Sequence, residues 1–291
     1  MLGNEHGGYP LTMTTEKMLS FVEHLVELRK RLIVVILAIV VGMGIAWNVS
    51  DEILTFIEKP LTGRTYLSEL KTEAYRIVKE RYPDFYTRHK LDKEIVVKSA
   101  DRMLNYSAPL EPFFIQCKIA LIAGFIMALP IVFYQIWLFV APGLTRGEKR
   151  LVVPFVTTAT VSFCIGAIFF LTIIWPVIIN FSLSYESAGL RSWFNLSAYV
   201  NFCLRLILTF GLIFELPILV LLLSRFGLVT GSFLARNRKY AVLASAIIAA
   251  FHADLLTMFV IMVPLYTMYE VSIWVAKIFG KKRAVNQTAQ A

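Results

Sequence analysis

Glu215 lies inside an apolar run, Leu206-Ile-Leu-Thr-Phe-Gly-Leu-Ile-Phe-Glu215-Leu-Pro217-Ile-Leu-Val-Leu-Leu-Leu223. An ionised carboxylate near the middle of a bilayer costs at least about 2.5–3.5 kcal/mol, so such a group faces a protein interior or a water-filled cavity. Glu215 is therefore a candidate for a hydrated pocket at depth. The plain alternative is a structural acid hydrogen-bonded to a neighbouring helix. Arg205 lies ten residues earlier in the same apolar stretch. Ten residues of helix separate two side chains by about 15 Å along the axis and about 80° around it. The two do not pair, and each requires another partner.

Two more acids lie in basic surroundings. In Phe21–Leu32, Phe21, Leu25, Leu28 and Leu32 share one helical face, with Glu23, Glu27, Lys30 and Arg31 opposite. Glu27 and Arg31 are four apart, a spacing at which an ion pair contributes a few tenths of a kcal/mol. Glu148 belongs to Ala141-Pro142-Gly143-Leu-Thr145-Arg146-Gly-Glu148-Lys149-Arg150. Pro142-Gly143 marks a turn, Thr145 can cap a helix, and Glu148 would complete a capping box. The functional alternative is an arginine acceptor, because a carboxylate can take a guanidinium bidentately. Gln135 is flanked by Tyr134 and Trp137, which suit an aromatic belt at a membrane interface. Glu111 and Lys118 share a face seven residues apart, where snorkelling would satisfy both. Asp254 and Glu270 read as interfacial rather than catalytic.

The elements holding these residues are membrane helices. Hydrophobic residues make up 57% of the chain and charged residues 17%, with a mean hydropathy of +0.67. Soluble domains are about 45–50% apolar and about 25% charged. The net charge of +9 fits basic cytoplasmic loops better than a nucleic-acid partner. No G-x-x-x-x-G-K-[ST] phosphate loop occurs, so the chain carries no signal for nucleotide hydrolysis. Cys117, Cys164 and Cys203 fall in apolar runs and read as small hydrophobes, while His6, His24, His89 and His252 are scattered. No metal or other cofactor is expected.

Apolar runs predict spans at Leu32–Trp47, Phe113–Val140 with a kink at Pro130, Leu151–Phe181 and Tyr199–Ser224. Tyr240–Lys277 holds 38 residues, enough for two short helices joined by a tight hairpin. The result is an all-α polytopic membrane protein with six transmembrane helices, the fifth and sixth short. Fifteen Lys and Arg residues flank the spans on one side, while the short connectors on the other hold only Arg191. The positive-inside bias then puts both termini in the cytoplasm.

No cleavage site follows the first apolar run, so it reads as a retained span. Residues 1–19 are expected to be a disordered tail, with Met13 an alternative start. Residues 20–277 would form the membrane domain and 278–291 a cytoplasmic tail. The connector 48–112 carries 11 basic and 11 acidic residues and is expected to be a helical extracytoplasmic cap. Within it, Arg64–Tyr82 is patterned as a helix and Lys93–Lys98 as a short strand.

The segments H-L-V-E-L-R-K-R-L (24–32), E-P-F (111–113), P-I-V-F-Y-Q-I-W-L-F-V-A-P-G-L-T-R-G-E-K-R-L-V-V-P (130–154) and F-E-L-P-I (214–218) occur in this order. Together they resemble the TatC family, the receptor subunit of the twin-arginine protein translocase, over most of residues 20–277. The resemblance implies six spans, cytoplasmic termini and no enzymatic activity. It implies a cytoplasmic-membrane receptor for the twin-arginine signal peptides of folded proteins, driven by the proton-motive force. Glu27 and Glu148 would bind the paired arginines, Arg29 and Arg150 would organise that surface, and Gln135 would lie beneath it. Glu215 would face an intramembrane pocket. The implied partners are TatA- and TatB-type single-span proteins and further copies of the receptor. Two departures stand out: 64–103 reads as an insertion, and the turn Phe251-His252-Ala253-Asp254 replaces the family's Thr-Pro-Pro-Asp, with Met258 where a polar residue is common. A proton-coupled solute transporter built on Arg205 and Glu215 is the alternative from another class. It would need paired repeats and broken helices in two halves, and the sequence shows neither. An intramembrane enzyme would need a nucleophile–base or metal pair that Glu215 alone does not supply.

Overall fold

The computed structural model describes residues 12–62, 76, 80, 103–140, 152–186, 192–250 and 255–279, and these are helical apart from short turns and one isolated bridge. The elements are α1 (Thr12–Ala46), α2 (Ser50–Glu58), α3 (Glu111–Val140), α4 (Val152–Phe169), α5 (Trp175–Ser184), α6 (Leu196–Phe214), α7 (Leu216–Arg225), α8 (Gly231–Arg236), α9 (Arg238–Ala250) and α10 (Leu255–Phe279). Five stretches of the described residues are long and apolar enough to cross a membrane: Leu25–Leu61, Glu111–Phe139, Val152–Ser184, Leu196–Arg225 and Thr257–Phe279.

Several expectations are corrected. Residues 12–19 belong to α1 and not to an unstructured tail. The described residues of the last apolar stretch form two helices of unequal length. α9 has 13 residues, but α10 has 25 and carries Pro264 inside it, so only the first of the two is short. At 1.5 Å per residue α9 is about 20 Å long, against about 30 Å of hydrocarbon. α3 carries Pro130 inside it, at the position where the sequence predicts a kink. The expected cap insertion 64–103, including Arg64–Tyr82 and Lys93–Lys98, lies outside the described residues except for Arg76, Glu80 and Met103. The tails 1–11 and 280–291 and the turn 251–254 lie outside them as well.

Two prolines shape the spans. Pro176 has no N–H for Thr172, the residue four positions back, and its ring presses on that carbonyl. The chain widens there into a π turn, Phe170–Ile174, which joins α4 to α5. Pro217 likewise leaves Ile213 without its usual donor, and the helix breaks at Glu215 between α6 and α7.

α6 is the central element. Val200, Cys203, Leu206 and Phe210 are fully buried against Phe170, Trp175 and Ile261. α1 packs on α3, α3 and α4 pack on α6, and α7, α8 and α9 pack on α10. α1 and α3 are antiparallel: Trp47 at the end of one meets Phe113 at the start of the other, ring centroids 6.0 Å apart. Their backbones touch where Gly42 faces Gly124. A Cβ on Gly124 would stand 2.3 Å from the Met43 nitrogen. Small residues permit such close crossings between membrane helices.

One end of the bundle is tied together by polar contacts. The indole of Trp175 and the hydroxyl of Tyr199 both donate to the Ile57 carbonyl, at 2.9 and 2.8 Å. Asn105 donates its N–H to the Phe194 carbonyl and accepts from the Leu196 N–H. Asn195 caps α6 by accepting from the Ala198 N–H at 3.0 Å. Glu111 accepts from the backbone N–H groups of Ser107, Ala108 and Ser197. Its oxygens are thus taken up by backbone donors, while Lys118 on the same face donates to Asn201 Oδ1 at 3.0 Å. At the start of α9, Arg238 forks onto Glu270, Nε to Oε1 at 2.8 Å and Nη2 to Oε2 at 2.9 Å, and Tyr266 adds a hydroxyl bond. This clamp holds α9 to α10 and makes Glu270 a paired interhelical acid.

Candidate functional site

α1 has 35 residues, about 52 Å of helix against about 30 Å of hydrocarbon. Its earlier turns therefore extend past the apolar stretch, and they carry Glu27, Arg29, Lys30 and Arg31. Glu27 is half-buried and accepts from Arg31 Nη2, the pair that the four-residue spacing predicts. Arg31 Nε is buried without a hydrogen-bond partner, while Arg29 and Lys30 are exposed. Leu25, Leu28 and Leu32 are exposed as well, so the apolar stripe of this segment does not pack on the described core.

The antiparallel pairing of α1 with α3 brings Gln135 to this end. Gln135 lies eleven residues beyond Gly124, and Arg31 lies eleven residues before Gly42. Gln135 thus stands at the level of Arg31, one turn from Glu27. It is half-buried, and two residues on, Trp137 packs on Phe155 with ring centroids 4.5 Å apart. The structure therefore gathers Glu27, Arg29 and Gln135 at one end of the helix pair. Glu148 and Arg150 lie outside the described residues, as does Thr145.

Glu215 is the residue at which the fourth span breaks. Ile218 N–H bonds to the Glu215 carbonyl, three residues back, and not to Phe214. The Phe214 carbonyl is left for another donor, and the Ser162 hydroxyl on α4 supplies it at 2.7 Å. The side chain of Glu215 is half-buried, and its Oε1 is fully buried with no hydrogen-bond partner. A buried acceptor left unsatisfied costs about 1–3 kcal/mol, more for a charged group. Glu215 therefore has an open place for a donor: a water, a proton or a polar group from another molecule. Arg205 does not fill it. It sits on the exposed face of α6, as their angular separation requires.

Sequence reasoning missed Ser162. Its only signal was a hydroxyl in an apolar run, which Thr157, Thr158 and Thr160 share. Those three bond back to their own helix, at the carbonyls of Val153, Pro154 and Val156, whereas Ser162 reaches across to α6. It also missed the glycines that set the helix spacing. A Cβ on Gly166 would stand 2.7 Å from the Phe210 carbonyl oxygen, and one on Gly211 would stand 2.3 Å from the Phe163 ring. These contacts seat α4 against α6 just above Glu215.

Known proteins match this arrangement over nearly the whole chain. The family model described as "Sec-independent protein translocase protein (TatC)" matches residues 23–264. The TatC protein of Desulforapulum autotrophicum is 33% identical over 270 residues, covering 92% of this chain and 88% of that protein. The Aquifex aeolicus TatC protein is 32% identical over 270 residues, covering 92% of this chain and 98% of its own. A crystal structure of the twin-arginine translocase receptor TatC in DDM superposes with a TM-score of 0.67 at 31% identity, covering 88% of this chain and all of that one. The chain belongs to the TatC family of Sec-independent protein translocase proteins, membrane components of a protein-transport machine rather than catalytic enzymes.

Proposed function

We propose that this chain is the signal-peptide receptor of a twin-arginine translocase in the cytoplasmic membrane of its cell, with six membrane crossings and both termini in the cytoplasm. The short α9 would make the fifth crossing by thinning the bilayer around it. Glu27 and Glu148 would take the two guanidinium groups of a twin-arginine signal, with Arg29 and Arg150 arranging the surface and Gln135 lying beneath. Arginine suits this task because its planar fork meets a carboxylate with two parallel bonds, whereas lysine offers a point charge.

The observation that carries this reading is the state of Glu27. It is half-buried, one turn from the level of Gln135, and already engaged by an arginine of its own helix. A signal arginine would replace Arg31 at an acid already positioned for a guanidinium. Glu215 would serve a second step, in which its unpaired oxygen accepts a donor from an inserted signal hairpin or from a single-span partner. TatA- and TatB-type proteins would dock near 251–258, and copies of the receptor would associate in the working complex. Transport would draw on the proton-motive force.

Single substitutions Glu27→Ala and Glu148→Ala test the receptor site. Removing one half of a desolvated charge pair costs about 2–5 kcal/mol, and less at an exposed surface. Both variants are expected to insert normally, and Glu148→Ala is expected to lose most photocrosslinking to a twin-arginine signal peptide. Unchanged crosslinking in both would remove these residues from the site.

A further inference from the structure

Lys118 and Arg205 lie inside spanning helices, and the receptor site uses neither. Lys118 Nζ donates to Asn201 Oδ1 at 3.0 Å. Arg205 follows Asn201 by four residues, one turn deeper on the same face of α6. Lys118 and Arg205 are exposed and Asn201 is half-buried. Among the described residues no carboxylate pairs with either cation. Glu111 is committed to three backbone N–H groups, and Asp51 accepts from Gln116 at 2.6 Å.

The three side chains also lean the same way. Glu111 at the start of α3 bonds Ser197 at the start of α6, so the two helices begin at the same membrane interface. Cα–Cβ bonds tilt toward a helix N-terminus. Lys118 lies about 10 Å along α3 and Arg205 about 14 Å along α6, within reach of snorkelling toward that interface. Their helical neighbours Phe114, Leu121 and Leu212 are exposed and apolar. An unpaired cation at depth is costly, so two on one face call for an anion.

We propose that Lys118, Asn201 and Arg205 bind the phosphate of an anionic phospholipid in the leaflet where α3 and α6 begin. Such a lipid supplies both halves of the complement at once. Its phosphate meets the lysine and the arginine fork, and its acyl chains cover Phe114, Leu121 and Leu212. Asn201 holds Lys118 through Oδ1 and keeps Nδ2 to donate to a phosphate oxygen.

Native mass spectrometry of the full chain in detergent, titrated with phosphatidylglycerol or phosphatidylethanolamine, tests this. The wild-type chain should hold one phosphatidylglycerol in clear preference to phosphatidylethanolamine. The double variant Lys118→Gln with Arg205→Gln should bind it about thirtyfold more weakly, as expected for two basic groups near an anionic surface. Asn201→Asp, which keeps both cations but supplies an internal anion, should weaken binding similarly and covers the case in which the double variant fails to fold. Lys239→Gln should change nothing. Undiminished phosphatidylglycerol binding in Asn201→Asp or in the folded double variant would overturn the proposal. So would displacement of the lipid by excess inorganic phosphate. If the double variant kept the lipid but lost crosslinks to a single-span partner, the cations would serve a protein acid and the proposal would fail.

Discussion

Gly124→Val is expected to keep the first two spanning helices from closing on each other, with loss of a monodisperse, protease-resistant protein in detergent. A Cβ at this position stands 2.3 Å from the Met43 nitrogen and 2.6 Å from the Gly42 carbonyl carbon. Both are backbone atoms, so no side chain can swing aside and a whole helix must move. Overpacking of a well-packed site costs about 1–3 kcal/mol and more where relief is blocked, and valine adds further methyl groups at the contact. The effect should reach the candidate site, because the α1–α3 pairing sets Gln135 at the level of Arg31, one turn from Glu27. Gly44 is the internal control: nothing stands within 4 Å of a Cβ there. Gly44→Ala should retain the thermal midpoint and elution of the unmodified protein. Equal behaviour of the two variants would mean that the backbone contact does not hold the pair together.

Glu215→Ala is expected to abolish most transport of a folded twin-arginine substrate, while Glu215→Gln retains an appreciable part. Glutamine keeps the length and one carbonyl acceptor beside the Ser162-bonded break, whereas alanine removes the acceptor. An obligate proton carrier would behave differently, since both substitutions abolish titration and both would stop transport alike. Labelling addresses the surroundings directly. Glu215→Cys, in a background with Cys117, Cys164 and Cys203 replaced, should react with small water-soluble thiol reagents in an active complex. Inertness there would mean that no hydrated pocket reaches this position.

The parts of the fold visible in the sequence are those set by one-dimensional physics. Long apolar runs located the second to fourth spans closely: Leu196–Arg225 contains the expected Tyr199–Ser224, and Val152–Ser184 extends the expected Leu151–Phe181 by less than a turn, whereas the first, Leu25–Leu61, runs well past the expected Leu32–Trp47 at both ends. The four-residue spacing of Glu27 and Arg31 predicted their ion pair. A proline two residues after Glu215 is visible in the sequence and frees backbone carbonyls there, and the Ser162 bond to Phe214 is one answer to them. What stayed hidden depends on contacts between distant segments. Gly42 and Gly124 carry no pattern of their own and acquire meaning only when α1 crosses α3. Glu111 and Lys118 share a face, but the turn and helix-start N–H groups that claim the oxygens of Glu111 come partly from a distant segment, at Ser197. The apolar stretch Tyr240–Lys277 carries no length signal of its own; only the turn at 251–254, known from the resemblance, pointed to helices as unequal as 13 and 25 residues.

The most direct measurement is equilibrium binding of a twin-arginine signal peptide to the purified full chain, compared with the same peptide carrying twin lysines. A receptor built on paired carboxylates should bind the lysine peptide at least about tenfold more weakly, the equivalent of about 1.4 kcal/mol, and Glu148→Ala should erase most of that difference. Equal affinities for the two peptides would contradict a receptor that reads arginine through Glu27 and Glu148.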